Sequence, residues 1–223
     1  MSMVPGIRPA RKDQAPMFRL LPAALLTLCL ALPVAAEPLT PVQTAALSAR
    51  LYAAGVEAAD PVLMLAAARL RKTIAPEPIM RAAEGGESGT DAPLGWEAMA
   101  EAAADLAGDD PAILGLIDDL RAEGSKGVAS GPVYNIGQLA RGKTDTYRNI
   151  DFKGGEYAEV YVEAQTTVDL NLSVTDAQGR LVCNDTDVSH IAYCGWRPDA
   201  AGTFTLTVQN KGGAGTGYAL MTN

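Results

Sequence analysis

The chain has 223 residues, of which 48% are hydrophobic and 20% are charged. It carries 18 Lys and Arg against 26 Asp and Glu, and this acidic excess, a formal net charge of −8, repels nucleic acid and anionic lipid headgroups. A single histidine excludes the zinc hydrolase patterns, which need several imidazole ligands. The length allows one large domain or two small ones.

The first 36 residues have the order of a secretory signal peptide. Four basic residues, the last of them Arg19, precede an apolar run over 20–34 and the small residues Ala35 and Ala36. This order predicts cleavage after Ala36, and the apolar run is shorter than the roughly 20 residues that a membrane-spanning helix needs. Loss of four basic residues and one acidic residue takes the net charge from −8 to −11. The mature chain is predicted to be periplasmic or secreted, without a membrane span.

Two cysteines remain after this cleavage, because Cys29 leaves with the signal peptide. An even pair in an exported protein predicts a disulfide between Cys183 and Cys194. The alternative is a reactive thiol or a metal pair. It is disfavoured because neither cysteine lies in a C-x-x-C motif and His190 is the only histidine.

Residues 37–123 are rich in alanine and leucine and predict a small bundle of four helices. Apolar residues at helical spacing place the first helix over 41–54 and the third over 94–107. Asp caps a helix N-terminus and Pro is tolerated in the first turn, so two Asp-Pro pairs predict the other two starts. These pairs are Asp60-Pro61 and Asp110-Pro111.

The region 37–123 is also loosely similar to helical-hairpin repeats. Its two Asp-Pro starts lie 50 residues apart, whereas tetratricopeptide repeats have a period of 34 and a Trp, Gly, Tyr and Pro pattern that is absent here. The segment 75–93 is polar and rich in Gly and Pro, which predicts a mobile connection between the second and third helices.

Past a linker over 124–131 the hydrophobic pattern changes to the period of β-strands. Apolar and polar residues alternate over 168–175 and again over 203–209, and Gly, Asn or Asp turns separate the candidate strands. One face of each strand is therefore apolar and the other wet, as in a β-sandwich of about 90 residues. The pattern predicts an antiparallel β-sandwich over 132–223 as a second domain.

The sandwich region resembles the bacterial pre-peptidase C-terminal domain family over about 133–223. The resemblance is carried, in order, by GKTDTYRNIDFKGGEYAEVYVEA, DLNLSVTDAQGRLVCNDTD, IAYCGWRPDAAGTFTLTVQNKG and GYAL. These segments are similar to the family's D-x-D-L strand, D-x-x-G turn, C-x-D-x-D loop, C-x-W corner and G-x-(F/Y)-x-(L/I)-x-V-x-N strand. Asn171 stands where the family has its second acidic residue, which weakens a metal site there. The resemblance implies a jelly-roll-like β-sandwich of the kind appended to secreted proteins.

One motif points to a nucleotide and is set aside. Residues 137–144 fit the G-x-x-x-x-G-K-T phosphate-loop pattern. That mechanism needs a helix N-terminus after the loop, whereas strand-like sequence follows Thr144. The segment is therefore interpreted as a turn before a strand.

The acidic residues of the sandwich form the candidate metal site. Calcium prefers six to eight oxygen ligands, which closely spaced Asp and Asn side chains supply. The alternative is that these are turn-forming and edge-protecting polar residues, and it is the favoured interpretation. The candidate calcium ligands are Asp169, Asn171, Asp176, Asp185 and Asp187.

No catalytic set stands out in the sequence. His190 lies beside Ser189 and Asp187, but neighbours in sequence seldom have triad geometry and no nucleophile elbow is present. The first hypothesis is an exported, non-enzymatic protein whose sandwich serves binding, export or stability in the bacterial cell envelope. Its partner would be an envelope protein or a polysaccharide, and no cofactor is required. The alternatives are a calcium-stabilised carbohydrate-binding module and a hydrolase of unfamiliar type.

Overall fold

A computed structural model describes residues 37–89, 92–124 and 129–223. The predicted signal peptide, 1–36, lies outside the described residues. No helix in the described ranges has the length and hydropathy to cross a membrane. The described residues from Pro38 to Asn223 form one compact unit.

Four helices occupy the first part of the described chain. The first, second and fourth helices each begin at a proline. The second and fourth have the Asp N-caps that the sequence predicts. The Asp60 side chain accepts hydrogen bonds from the backbone N–H groups of Val62 and Leu63, and Asp110 accepts one from Ala112. The helices are α1 (Pro41–Ala58), α2 (Pro61–Lys72), α3 (Trp96–Ala107) and α4 (Pro111–Ala122).

Ten strands in the described ranges form two mostly antiparallel sheets. The first sheet has the order β1-β3-β10-β5-β8, with β2 also paired to β3, and the second has the order β4-β9-β6-β7. The strands are β1 (Ile74–Pro78), β2 (Glu87–Ser88), β3 (Ala129–Leu139), β4 (Thr144–Phe152), β5 (Ala158–Ala164), β6 (Leu170–Asp176), β7 (Leu181–Asp185), β8 (Ile191–Trp196), β9 (Gly202–Asn210) and β10 (Thr216–Thr222).

The main core lies between the two sheets. The alternating residues of β6 and β9 turn their apolar side chains inward, so Leu172, Val174, Leu206 and Val208 are fully buried. Cys183 on β7 and Cys194 on β8 form the predicted disulfide, with 5.8 Å between their Cα atoms. Because β7 and β8 are edge strands of different sheets, the disulfide ties the two sheets together at one side.

The outer face of the first sheet is covered by helix α1. Val42, Ala45 and Ala49 of this helix pack against Tyr161 on β5 and Met221 on β10. Strands β5 and β10 are consequently buried on both faces along their whole length. The predicted α + β architecture, helices followed by a β-sandwich, is confirmed, and both parts belong to one compact unit.

The connection after α2 differs from its prediction. The segment 75–93 was expected to be a mobile loop, but it contains most of β1, which pairs in parallel with β3, and the whole of β2. Residues 79–86 form a strap between them, in which Glu84 pairs with Thr146 on β4. The strap spans the gap between β3 of the first sheet and β4 of the second. Strand β3 itself begins at Ala129, inside the predicted linker 124–131.

Candidate functional site

An open cleft lies at the end of the second sheet where β6 turns into β7. The turn is built by Asp176, whose Oδ1 accepts hydrogen bonds from the backbone N–H groups of Gln178 and Arg180, both 2.9 Å long. Its Oδ2 accepts a third from Arg180 Nε at 2.6 Å. Desolvation acts to raise the pKa of Asp176, but the bonds from Arg180 and Gln178 outweigh it and lower this pKa.

The facing wall of the cleft is the corner between β8 and β9. Trp196 packs there against Phe152 and Phe204, with ring centroids 4.8 Å and 5.3 Å away. Its indole is 9% exposed, and its Nε1 is buried without a hydrogen-bond partner in the described residues. Arg197, the next residue, is exposed and donates to the carbonyl of Gly155.

The cleft between this turn and this corner has a volume of about 410 Å³. A depression of about 290 Å³ adjoins it around Thr175 and Thr203 on the outer face of the second sheet. Asn149 lines the depression at an irregularity of β4 and has a positive φ of 56°, a conformation that is uncommon for residues other than glycine. We call the cleft and the depression together the turn-end cleft.

The chemistry of the turn-end cleft suits hydrogen bonding to a neutral polar ligand. Its flexible side chains are both donors and acceptors, and the exposed Val182, Ala200 and Ala201 supply an apolar surface. The two arginines and two aspartates of the cleft balance one another in charge, and Arg148 in the depression is paired with Glu84 at 2.9 Å. The polar side chains at the cleft are those of Asp176, Gln178, Arg180, Arg197 and Asp199.

The predicted calcium ligands do not come together in the structure. In the described residues no three His, Cys, Asp or Glu side chains converge on a point where they could hold a metal ion. Asp176 is bonded to Arg180 at one end of β6, whereas Asp169 and Asn171 lie at the other end. The calcium assignment of these residues therefore stays a prediction.

The two remaining predicted ligands lie at the far edge of the second sheet. Asp185 Oδ2 accepts the edge N–H of Tyr193 on β8 at 2.9 Å, and its Oδ1 accepts the N–H of Asp187. Asp185 thus satisfies the backbone at the edge of the first sheet. The Oδ1 atoms of Asp169 and Asn171, by contrast, are buried and lack hydrogen-bond partners among the described residues.

The residues considered for catalysis are engaged in local structure. Ser189 Oγ accepts the N–H of Ile191, and the backbone carbonyl of His190 accepts the N–H of Ala164. In the described part of the chain no hydrogen bond joins the side chains of Asp187, Ser189 and His190. The phosphate-loop pattern ends in a turn from β3 into β4, in which Gly142 N–H donates to the carbonyl of Asn210.

A buried polar chain inside the sandwich was missed by the sequence analysis. Asp145 Oδ2 accepts from Tyr218 OH, which lies 2.6 Å from Tyr147 OH; the latter accepts from Asn135 Nδ2 at 3.2 Å. Asn135 Oδ1 in turn accepts the backbone N–H of Arg81 in the strap. These residues are distant in sequence, so no local sequence pattern predicts their contact.

Burial shifts the pKa values of the side chains in this buried polar chain. Burial raises the pKa of Asp145 above its usual value and outweighs the hydrogen bond from Tyr218. Burial also raises the pKa of Tyr218, and the neighbouring Tyr147 and Asp145 add to the shift. The Oδ1 of Asp145 has no hydrogen-bond partner in the described residues. Burial lowers the pKa of Arg81, at the other end of the chain.

Comparison with known proteins gives likenesses in structure alone. No family model and no curated protein matches the chain. A pre-peptidase C-terminal domain of a collagenase from Bacillus anthracis is 13% identical, with a TM-score of 0.37 over 41% of this chain and 89% of that one. A periplasmic inhibitor of g-type lysozyme from Aeromonas hydrophila is 13% identical, with a TM-score of 0.30 over 41% and 86%. A carbohydrate-binding module of a laminarinase from Zobellia galactanivorans is 12% identical, with a TM-score of 0.27 over 40% and 80%.

Proposed function

We propose that this chain is an exported, non-enzymatic protein of the bacterial cell envelope whose β-sandwich binds a neutral polysaccharide at the turn-end cleft. The observation that carries the proposal is the cleft itself. It combines exposed amide, guanidinium and carboxylate side chains with an exposed apolar surface from Val182, Ala200 and Ala201 beside the nearly buried Trp196 and Phe204. Sugars present hydroxyl groups at their rims and C–H groups on their faces, so a site for them needs both kinds of surface.

Charge supports a neutral polymer over an acidic one. The predicted mature chain carries a net charge of −11, which repels polyanions at distances shorter than the screening length of the salt solution. Arg180 in the cleft is neutralised by Asp176 at 2.6 Å. The sandwich would then hold the protein on an envelope polymer, and the disulfide would stabilise it in an oxidising compartment.

The test is binding of envelope polysaccharides to the protein purified from the periplasm. Gln178→Ala and Asp199→Ala change exposed side chains of the cleft, so they should leave the fold intact. We expect each to weaken binding about tenfold, as loss of a hydrogen bond to a charged or amide group does. Glu101→Ala, on the exposed side of α3, is the matched control. Binding to an envelope protein alone, or equal binding by all variants, would contradict the polysaccharide site.

A calcium-stabilised sandwich is the second candidate, and one observation favours it. Asp169 Oδ1 and Asn171 Oδ1 are buried, lack partners among the described residues and are two positions apart at the start of β6. Alternate residues of a strand lie on the same face, so two oxygen atoms of the kind that calcium prefers lie near one another. Melting with calcium and with a chelator tests this, because a bound ion raises the midpoint. An unchanged midpoint excludes a stabilising site.

A further inference from the structure

Most of the positive charges in the described chain are already engaged by other groups of the protein. The chain has 18 Lys and Arg, of which four lie within 1–36 and Lys126 lies outside the described residues. Of the remaining 13, seven form ion pairs and three donate to hydroxyl or carbonyl oxygens. The three with neither an ion pair nor a side-chain hydrogen bond to any described residue are all exposed, and they are Arg141, Lys143 and Lys211.

These three cations lie on two neighbouring turns at one end of the sandwich. Arg141 and Lys143 belong to the turn from β3 into β4, and Lys211 begins the glycine-rich loop between β9 and β10. The turn and the loop are in contact, because a Cβ on Gly215 would lie 3.5 Å from the Cα of Ala140. We call their exposed surface the basic tip, which consists of residues 140–143, 211 and 213–215.

A fully buried asparagine fixes the turn and the loop to each other. Asn210 Nδ2 donates to the carbonyl of Leu139, just before the turn, at 3.2 Å, and to that of Ala214 in the loop at 2.8 Å. Its Oδ1 accepts the N–H of Gly212 at 2.9 Å. These bonds are shielded from water, which strengthens them. The fold therefore holds the backbone under the three cations in place while their side chains stay free.

No acidic side chain of the described ranges neutralises the basic tip. Two acidic residues pair close to it through their backbones. The carbonyl of Asp169 accepts the N–H of Lys211, and Glu87 pairs with Gln138 on β3. Neither forms an ion pair with a cation of the tip. Exposed cations without a counter-charge give the tip a positive potential, although the chain as a whole is acidic.

The composition of the basic tip selects among anionic partners. Apart from the three cations, its exposed residues are only glycine and alanine. Protein interfaces depend on aromatic or large apolar anchors, and polysaccharide sites need a concave apolar surface with fixed polar groups. An anionic lipid surface attracts basic residues by charge alone. The tip therefore has what a lipid surface requires and lacks what the other two partners require.

We propose that the basic tip binds the surface of an anionic membrane, with Arg141, Lys143 and Lys211 at the lipid headgroups. The net charge by itself predicts repulsion from such a surface. Salt at ~0.1 M screens exposed charges beyond about 10 Å, and β6, which begins beside the tip and ends at the turn-end cleft, spans roughly 20 Å. Charges at the far end of the sandwich are therefore screened from a bilayer that touches the tip. This surface is separate from the turn-end cleft and does not depend on polysaccharide binding.

Sedimentation of the whole mature protein with lipid vesicles tests the proposal. Vesicles of equal parts phosphatidylglycerol and phosphatidylcholine should bind the protein, and vesicles of phosphatidylcholine alone should not. Each basic residue near an anionic surface strengthens binding about fivefold, so three should give a preference on the order of a hundredfold at low salt. The preference should shrink as salt is added. Equal binding to the two kinds of vesicle would overturn the proposal.

Two triple variants of equal net charge separate the tip from the overall charge. The tip variant has Arg141→Gln, Lys143→Gln and Lys211→Gln. Because these side chains bond to no described residue, its melting midpoint should not change, but its preference for phosphatidylglycerol should be lost. The control variant removes three exposed cations that form ion pairs elsewhere and should keep the preference. Its substitutions are Arg69→Gln, Arg121→Gln and Lys153→Gln. Equal losses in the two variants would mean that the tip is not the binding surface.

A soluble acidic polysaccharide distinguishes a membrane from a polymer as the partner. Polygalacturonate carries closely spaced carboxylates without a bilayer, and it is compared with the phosphatidylglycerol vesicles at equal concentration of negative charge. Tighter binding to the vesicles is expected. Tighter binding to polygalacturonate would overturn the membrane assignment.

Discussion

Arg71 Nη1 lies 3.0 Å from Glu163 Oε2, and both side chains are buried. The pair joins helix α2 to strand β5, so it holds the helices on the outer face of the first sheet. Arg71 also donates to Ser48 Oγ on α1, and Tyr161 OH donates to Glu163 Oε2 at 2.7 Å. Burial by itself lowers the pKa of Arg71, but Glu163 and Tyr161 outweigh it, and this pKa is raised. The helices and the sandwich are therefore expected to unfold together.

Removing one partner of this ion pair should lower the free energy of unfolding much more than replacing both partners with apolar residues. Arg71→Met or Glu163→Leu leaves an uncompensated buried charge, and each should lower the free energy of unfolding by about 3–5 kcal/mol. The double variant should cost much less than the sum. Urea unfolding of the four proteins measures the cycle. Arg69→Met, which breaks an exposed pair with Glu123, is the control and should cost under about 1 kcal/mol.

Local features of this fold could be predicted from sequence, and long-range ones could not. The Asp60 and Asp110 caps, the alternation of β6 and β9 and the disulfide each depend on residues close in the chain or on simple pairing rules. Segment 75–93 was predicted as a mobile connection because its prolines and glycines are typical of loops. Its structure comes instead from pairing with β3 and β4: Glu87 pairs with Gln138 and Glu84 with Thr146, which lie 51 and 62 residues further along.

The candidate sites divide in the same way. The turn at Asp176 and the corner at Trp196 were recognisable as segments, but only the fold places them on facing walls of one cleft. The sequence of β5 did contain a signal that helix α1 covers the outer face of the first sheet. The central Val160, Tyr161 and Val162 of strand β5 form a continuous apolar run, which is typical of a strand buried on both faces.

The disulfide should contribute measurably to stability. Cys183 and Cys194 are 11 residues apart, and closing a loop of this size stabilises a protein by somewhat under ~3 kcal/mol in the chain-entropy model. Reduction should therefore lower the melting midpoint of the protein by several degrees. Thermal unfolding with and without reductant measures this. A Cys183→Ser and Cys194→Ser double variant should have the lower midpoint and no response to reductant; a reductant effect that persists in it would contradict the assignment.

Asp145 should make stability depend on pH in a defined direction. Burial raises its pKa in the folded state, so the folded protein holds this proton more tightly than the unfolded chain does. The free energy of unfolding should therefore fall as the pH rises above about 3.9, the pKa of an Asp in the unfolded chain. The fall should continue until the pH passes the raised pKa of Asp145 in the folded state. Asp145→Asn removes this titration. The free energy of unfolding of the variant, relative to the unchanged protein, should rise with pH across this window.

Urea unfolding at several pH values measures that difference. Asp151→Asn, an exposed position on the same strand, is the control for the loss of one carboxylate. A flat difference for Asp145→Asn would mean that Asp145 is compensated in the folded state, although its Oδ1 has no hydrogen-bond partner in the described residues.

Trp196 offers a separate test of the turn-end cleft. Its ring packs against Phe152 and Phe204, so Trp196→Ala should lower the free energy of unfolding by about 3–5 kcal/mol. Its Nε1 has no hydrogen-bond partner in the described residues, so Trp196→Phe breaks no hydrogen bond and loses only part of the packing. Trp196→Phe should then cost about 1–2 kcal/mol in urea unfolding, as a change that keeps an aromatic ring in the core. A cost equal to that of alanine would mean that the indole N–H has a bound partner in solution, and the cleft would then contain a fixed polar group at its inner wall.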